Sequence, residues 1–182
     1  MTAPAQMFDR RLNPLKGWPS PYALDKAKEM TIGENTKAGM VMHIDPVTAR
    51  FKRGLPGRQI PIFAWNSEGD FDIGSVDDGN ISNYGNTKGL SGLVALGAYE
   101  VETTEFVLGQ TYAPNQELKV NDGVDNPLDK GKIEPGEYYT NTIVGVVSDG
   151  KKTNSYGREC VALWTYFLPA LSAGSSSSSM PA

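Results

Sequence analysis

The chain has only one cysteine and one histidine among 182 residues, so the side chains that most often bind transition metals or serve as nucleophile and base are nearly absent. The single cysteine, Cys160, excludes a disulfide within the chain. A buried and inert thiol is the expected state of such a residue. With one histidine, His43, zinc would have to be held mainly by carboxylates. We therefore expect neither a metal site nor a cofactor.

Positive charge is scarce as well. Lys and Arg number 17 against 21 Asp and Glu, which gives a formal net charge of −4. This balance argues against nucleic-acid binding, because phosphate contacts require basic surface. No apolar run reaches the roughly 18 residues that span a bilayer, and residues 1–18 lack the apolar core of a secretory signal. We expect a protein made in the cytoplasm, with no nucleic-acid or membrane partner.

Turn-forming residues are plentiful, with 20 Gly and 12 Pro, and they favour a mostly β chain. Residues 40–44 predict a strand with Met40, Met42 and Ile44 on one face and Val41 and His43 on the other, and the chain then turns back as a hairpin. Residues 59–65 predict another strand. Pro61 favours placing that strand at a sheet edge or a bulge, because proline donates no ladder hydrogen bond.

The second half of the chain continues the strand pattern. Residues 89–106 predict a strand pair or one bent strand, and residues 117–120 predict a short one. The last predicted strand, 158–169, is apolar on both faces, which is typical of a central strand. Short strands without a fixed repeat predict an antiparallel barrel or sandwich.

Composition divides the chain into three regions. Residues 1–38 contain several prolines and few periodic apolar positions, and we interpret them as an extended N-terminal arm. We expect residues 39–170 to form the barrel or sandwich domain and the serine-rich residues 171–182 to form a flexible tail. Whether the aromatic residues of the arm dock on their own domain or on a neighbour stays open at this point.

Catalytic motifs are missing from the pattern. His43 and Asp45 share a strand face, as a base and its orienting carboxylate would, but no G-x-S-x-G elbow accompanies them. "YGNTKGLSG" lacks the G-K-[ST] of a phosphate-binding loop. "SEGDFDIGSVDDGN" carries five carboxylates without the spacing of a calcium loop, which favours a solvated acidic loop. We interpret His43 as structural and predict no catalytic residue.

Charge is nevertheless segregated along the chain. Four basic residues fall within residues 50–58, and the acidic stretch follows within the next twenty. Patches of opposite sign can steer two surfaces into register, although independent solvated loops are the simpler interpretation.

Taken together, "AGMVMHIDPVTARFKRG", "LSGLVALGAYEVETTEF", "QTYAPNQELKV", "IVGVVSDG" and "NSYGRECVALWTYFLP" resemble the small virion proteins of tailed bacteriophages. The likeness is to capsid decoration, or cement, proteins, and it covers residues 38–169. It implies a non-enzymatic structural protein, made in the host cytoplasm and located on the capsid exterior of the virion. Its role would be to bind the outer surface of the expanded capsid and stabilise it.

The resemblance also implies partners and an interface. The partners are the major capsid protein and further copies of the chain itself, with a homotrimer favoured and a homodimer possible. The N-terminal arm would interlock with a neighbour, and the basic cluster would face an acidic capsid surface. The implied interface residues are Leu12, Pro14, Leu15, Trp18, Tyr22, Arg50, Lys52, Arg53 and Arg58.

Two other functions are compatible with the sequence. A receptor- or carbohydrate-binding β-module of a head or tail fibre would expose Trp and Tyr for stacking on sugars. Burial of Trp18, Trp65 and Trp164 would count against that module. A glycosidase would need a carboxylate pair such as Asp70 and Asp72, and 21 acidic residues make accidental pairs easy.

Overall fold

The structure of the chain, a computed structural model, describes residues 11–16, 34–57, 59–64, 92–94 and 99–169. Within these ranges the secondary structure is strand without helix, so the mostly β prediction is confirmed and no helix there could cross a bilayer. The strands are β1 (Leu12–Lys16), β2 (Val41–Ile44), β3 (Phe51–Arg53), β4 (Ile62–Ala64), β5 (Gly92–Val94), β6 (Tyr99–Thr103), β7 (Glu117–Val120), β8 (Ile133–Pro135), β9 (Ile143–Thr153) and β10 (Glu159–Leu168).

The larger sheet has six antiparallel strands in the order β1-β6-β10-β9-β7-β8. Its centre is β10, which pairs with β6 on one side and with β9 on the other. This position confirms the prediction from its two apolar faces. Val161 and Leu163 are fully buried on one face, and Ala162 is fully buried on the other.

The smaller sheet has four antiparallel strands in the order β3-β2-β4-β5. The predicted hairpin is confirmed, since β2 pairs with β3 from Met42 opposite Arg53 to Ile44 opposite Phe51. The edge position suggested for residues 59–65 is wrong, because β4 lies between β2 and β5. Pro61 precedes the first residue of β4, so its missing N–H removes no bond from the ladder.

One apolar cluster joins the two sheets. Val41 and Phe63 of the smaller sheet belong to the same buried cluster as Val101, Val161 and Leu163 of the larger one. The opposite face of the smaller sheet holds a second cluster, formed by Met42, Phe51, Ile62 and Ala64. Two antiparallel sheets with a shared apolar layer make a sandwich-like fold, and the described strands form no closed barrel.

Part of the segment predicted as an arm is a strand of the larger sheet. β1 lies at the sheet edge and pairs with β6, where Leu12 stands opposite Thr103. The Leu12 side chain is 4% exposed and belongs to the shared core, so this part of the predicted arm belongs to the folded domain. Leu15, by contrast, is 41% exposed. For the described part of the arm, docking is therefore on its own domain.

The two long central strands, β9 and β10, lie close together at Gly145. A Cβ atom at this position would lie 2.6 Å from the Trp164 carbonyl oxygen and 2.7 Å from Leu163 Cδ1. Both distances are too short for real contacts, so β9 and β10 could not keep their spacing beside a larger residue.

We expect Gly145→Ala to lower the free energy of unfolding by about 2–3 kcal/mol, because overpacking must push two central strands apart. The matched control is Gly109→Ala, which adds the same methyl group where no atom lies within 4 Å but φ is +82°. That control should cost only about 1 kcal/mol of backbone strain. Thermal or denaturant unfolding measures both, and equal losses would contradict the close approach.

Candidate functional site

A cleft of about 380 Å³ opens where the smaller sheet meets the larger one. Its walls come from β2, from β3 with the loop that follows it, and from residues 121–132, the loop between β7 and β8. The ionisable side chains on its walls are His43, Asp45, Lys52, Arg53, Asp122 and Lys130. The cleft therefore forms only when two elements of the smaller sheet and one loop of the larger sheet are correctly placed relative to each other.

Hydrogen bonds tie the β7–β8 loop to the smaller sheet. The Val41 N–H donates to the Gly131 carbonyl at 2.6 Å. The Arg53 guanidinium donates through Nη2 to the Pro127 carbonyl at 3.1 Å. A third contact joins the loop after β3 to the chain before β9, since the Thr142 hydroxyl donates to the Gly57 carbonyl at 3.1 Å. The cleft walls are thus fixed relative to each other by polar contacts as well as by the shared core.

His43 is 6% exposed and has a structural partner. Its Nδ1 lies 2.8 Å from the Gly54 carbonyl oxygen, which can only accept a hydrogen bond, so Nδ1 carries the proton. The ring is therefore held in one tautomer, with Nε2 left as an acceptor when the ring is neutral. Among the described residues no hydrogen bond joins His43 to Asp45, and each side chain has other partners.

Asp45 organises the β2–β3 turn. Its Oδ1 accepts from the Val47 N–H at 2.9 Å, its Oδ2 accepts from the Thr48 hydroxyl at 3.1 Å, and Lys52 forms an ion pair with it. The Lys52 ammonium, followed by the Val47 N–H, lowers the pKa of Asp45 from 3.8 to about 2. A carboxylate with three donors is occupied in holding the turn and is a poor general base.

Two glycines make room for Lys130 at the cleft wall. Gly54 has φ +92° and Gly123 has φ +80°, and added Cβ atoms would lie 3.1 Å and 2.7 Å from atoms of the Lys130 side chain. Both glycines thus combine a left-handed backbone with close contact to one lysine stem. Among the described residues the Lys130 ammonium has no ion pair, so its charge is available to a ligand.

Two side chains of the cleft wall hold polar atoms that are shielded from solvent without a hydrogen-bond partner. They are the Nε donor of Arg53 and the Oε1 acceptor of Gln59. Buried polar groups are nearly always paired in folded proteins, so each of these two atoms calls for a partner. One is a donor and the other an acceptor.

Apolar side chains project from the loops that carry the cleft. Val47 is 90% exposed in the β2–β3 turn, and Val124 and Leu128 are 80% and 72% exposed in the β7–β8 loop. The Asp122 side chain accepts from the Val124 N–H at 3.0 Å, and the Asn126 side chain accepts from the Leu128 N–H at 3.1 Å. These short-range bonds fix the loop that displays the two apolar side chains.

Cys160 lies on the face of the larger sheet that points away from the shared core, and it does not line the cleft. It is fully buried, and its Sγ lies 3.7 Å from Glu102 Oε2. Burial, reinforced by the negative charge of Glu102, raises the pKa of the thiol to about 11. The interpretation of Cys160 as a buried residue is confirmed, and near neutral pH very little of its thiol is in the ionised form that reacts.

The predicted interface residues are dispersed in the structure. Lys52 and Arg53 line the cleft, whereas Arg50 lies exposed at the end of the β2–β3 turn. Pro14 belongs to the edge strand β1. Trp18, Tyr22, Arg58, Trp65, the acidic residues of 68–78 and the serine-rich tail lie outside the described residues. Trp164 is half-buried, with the Lys16 ammonium 5.7 Å from its ring centroid.

The contribution of the β7–β8 loop to the cleft was not predictable from the sequence. "NDGVDNPLDKGK" is rich in turn formers, which predicts a loop, but no local signal places it beside a hairpin some 70 residues earlier in the chain. Lys130 was not predicted for the same reason, and Gln59 carried no signal beyond its place at the start of the predicted strand 59–65. No group of three or more potential metal ligands exists among the described residues.

Comparisons with known protein families, with curated proteins and with solved structures find no significant match to this chain.

Acidification should test the role of Asp45. Because its folded-state pKa lies below the value of the unfolded chain, Asp45 contributes stability above about pH 4 that is lost as the pH falls toward 2. We expect the melting temperature of Asp45→Asn to be lower than wild type at pH 7 and to converge with it near pH 2. Asp125→Asn, at an exposed loop position, is the control. A difference from wild type that persists unchanged at pH 2 would contradict this assignment.

We expect iodoacetamide to leave Cys160 unmodified in the folded protein at pH 8, where only about a thousandth of a thiol with this pKa is ionised. Mass spectrometry after timed exposure measures the modification. The same protein in denaturant provides the control, because the unfolded thiol should react fully. Rapid modification of the folded chain would show that the thiol is accessible.

Proposed function

We propose that this chain is a non-enzymatic virion structural protein that binds the outer surface of an expanded phage capsid and stabilises it. Its partners are the major capsid protein and other copies of the chain, with a trimer favoured. The proposal rests first on the resemblance of residues 38–169 to capsid decoration proteins. The geometry of the described residues supports it in a second, independent way.

The supporting observation is a display of exposed apolar side chains on loops that are held rigid and flank a basic cleft. Val47, Val124 and Leu128 expose most of their surface, although nothing within the described fold requires them to. Loops fixed by their own hydrogen bonds lose little conformational entropy on binding, so more of the contact energy is available to hold a partner. Apolar anchors beside charged groups are the usual composition of a protein-binding surface.

The ionisable groups of the cleft favour binding over catalysis. His43 donates to a backbone carbonyl, and Asp45 is engaged by three donors. Both side chains therefore stabilise the hairpin. A decoration protein needs no nucleophile, because its effect comes from contacts that form only on the mature shell and are multiplied over the particle.

A carbohydrate-binding β-module remains the second candidate, and one observation favours it. Tyr139 is 75% exposed, and its ring centroid lies 5.5 Å from that of Tyr138. An exposed tyrosine with a neighbouring ring can stack on the apolar face of a sugar. Retention of the protein on immobilised glycans, lost in Tyr139→Ala, would support this candidate over a shell protein.

The test of the proposed function is co-sedimentation with expanded and unexpanded empty shells of the phage that encodes the chain. We expect the protein to pellet with expanded shells only and to raise the temperature at which they disrupt. Leu128→Ser should weaken shell binding about tenfold, because an apolar anchor at an interface is replaced by a hydroxyl.

Leu108→Ser is the matched control. Leu108 is 69% exposed, close to the 72% of Leu128, but it does not belong to the loops of the cleft. Both variants should keep the wild-type melting temperature, because neither side chain is in the core. Equal binding to both shell forms, or shells equally heat-resistant with and without the protein, would remove the proposed role.

A further inference from the structure

The cleft carries a small positive excess that its own residues leave partly unused. Among the side chains that line the cleft, Asp45 neutralises Lys52, which leaves Arg53 and Lys130 with one exposed carboxylate, Asp122. The Glu34 carboxylate lies outside this lining, where it accepts a hydrogen bond from the backbone N–H of Arg53. A surplus of about one charge suits a single anionic group. It is too small for a nucleic-acid backbone, which requires several phosphate contacts.

The two unpartnered polar atoms of the wall indicate what kind of molecule carries that anion. Arg53 Nε is a donor without an acceptor, and Gln59 Oε1 is an acceptor without a donor. A carboxylate supplies only acceptors, whereas an acidic residue within a peptide brings a carboxylate together with backbone N–H donors. Guanidinium groups also bind carboxylates with a geometric preference that favours this pairing.

The remaining lining fits a peptide side chain as well. Pro46, Leu55 and Pro56 contribute apolar surface to the cleft. Its volume of about 380 Å³ accommodates one long side chain with part of its flanking backbone. Apolar walls with a few polar groups bind a glutamate stem better than they bind a compact, strongly hydrated anion such as phosphate.

We propose that this cleft binds the carboxylate of an acidic peptide segment on a partner protein, with Lys130 and Arg53 as its ligands. The binding chemistry stands on the cleft alone, whereas the identity of the partner as a shell protein rests on the proposed function. The apolar side chains of Val47, Val124 and Leu128 then surround a charged contact that fixes the orientation of the bound chain.

The lone histidine of the chain provides a built-in reporter. His43 lines the cleft, and because no other histidine exists its ring resonances can be assigned without ambiguity. The probe is a blocked pentapeptide with a central glutamate between leucines, and the control peptide has glutamine in its place. We expect the glutamate peptide to shift the His43 ring signals in a saturable way, and the glutamine peptide to bind at least about fivefold more weakly.

Matched variants locate the contact. Lys130→Gln should weaken binding of the glutamate peptide at least about fivefold, whereas Lys151→Gln, which makes the same change in net charge at an exposed position outside the cleft, should leave it unchanged. Arg53→Lys should also weaken binding, because a lysine ammonium lacks the planar pair of N–H donors with which a guanidinium binds a carboxylate. Melting temperatures of the variants show whether each remains folded at the titration temperature. Equal effects of Lys130→Gln and Lys151→Gln would overturn the assignment of the cleft.

Two further outcomes would also overturn the inference. One is an absence of any His43 shift with the glutamate peptide, and the other is inorganic phosphate binding as tightly and displacing the peptide, which would identify a general anion site. The shell assay separates this inference from the proposed function. If the protein does not bind the peptide but still binds shells, also as Lys130→Gln, only the inference about the cleft is refuted. If it binds the peptide but does not bind shells, only the proposed function is refuted.

Discussion

The burial of Val41 and Phe63 against the centre of the larger sheet is the contact on which the other features depend. These two side chains are fully buried in the cluster that contains Val101 and Leu163. The strands of the smaller sheet are only three or four residues long, so the sheet gains much of its stability by packing its apolar face against a neighbour. The shared cluster supplies that burial, and it also sets the distance between the hairpin and the β7–β8 loop. The cleft is therefore a consequence of how the sheets pack.

The strand content was predictable, because alternation and turn residues are local signals. The central place of β10 was predictable too, since a strand with two apolar faces must be covered on both. The interior position of β4 was not predictable, because a proline that precedes a strand gives the same sequence signal as a proline within an edge strand. The role of β1 was also hidden. Leu12 joins the core through a partner that lies far along the chain, and prolines around it resemble a linker.

The candidate site was only half visible in the sequence, for the same reason. Lys52 and Arg53 stood out as part of a charge cluster, but the residue that faces them, Lys130, belongs to a loop from the other sheet. Gly54 and Gly123 gave no separate signal among 20 glycines. Glycine is required at both positions because the stem of Lys130 lies against them, a contact that only the fold creates. Pairings between sheets depend on the whole fold, so local patterns identify the groups and leave their arrangement undetermined.

The sheet order has a consequence for synthesis on the ribosome. Leu12 pairs with Thr103, so β1 emerges long before the strand that will bind it. At about 5–20 residues per second, β1 waits roughly 5 to 18 seconds for β6 to appear. During this interval its apolar residues are unprotected. This edge of the larger sheet can therefore close only after more than half of the chain has been made, so the sheet is completed late in synthesis.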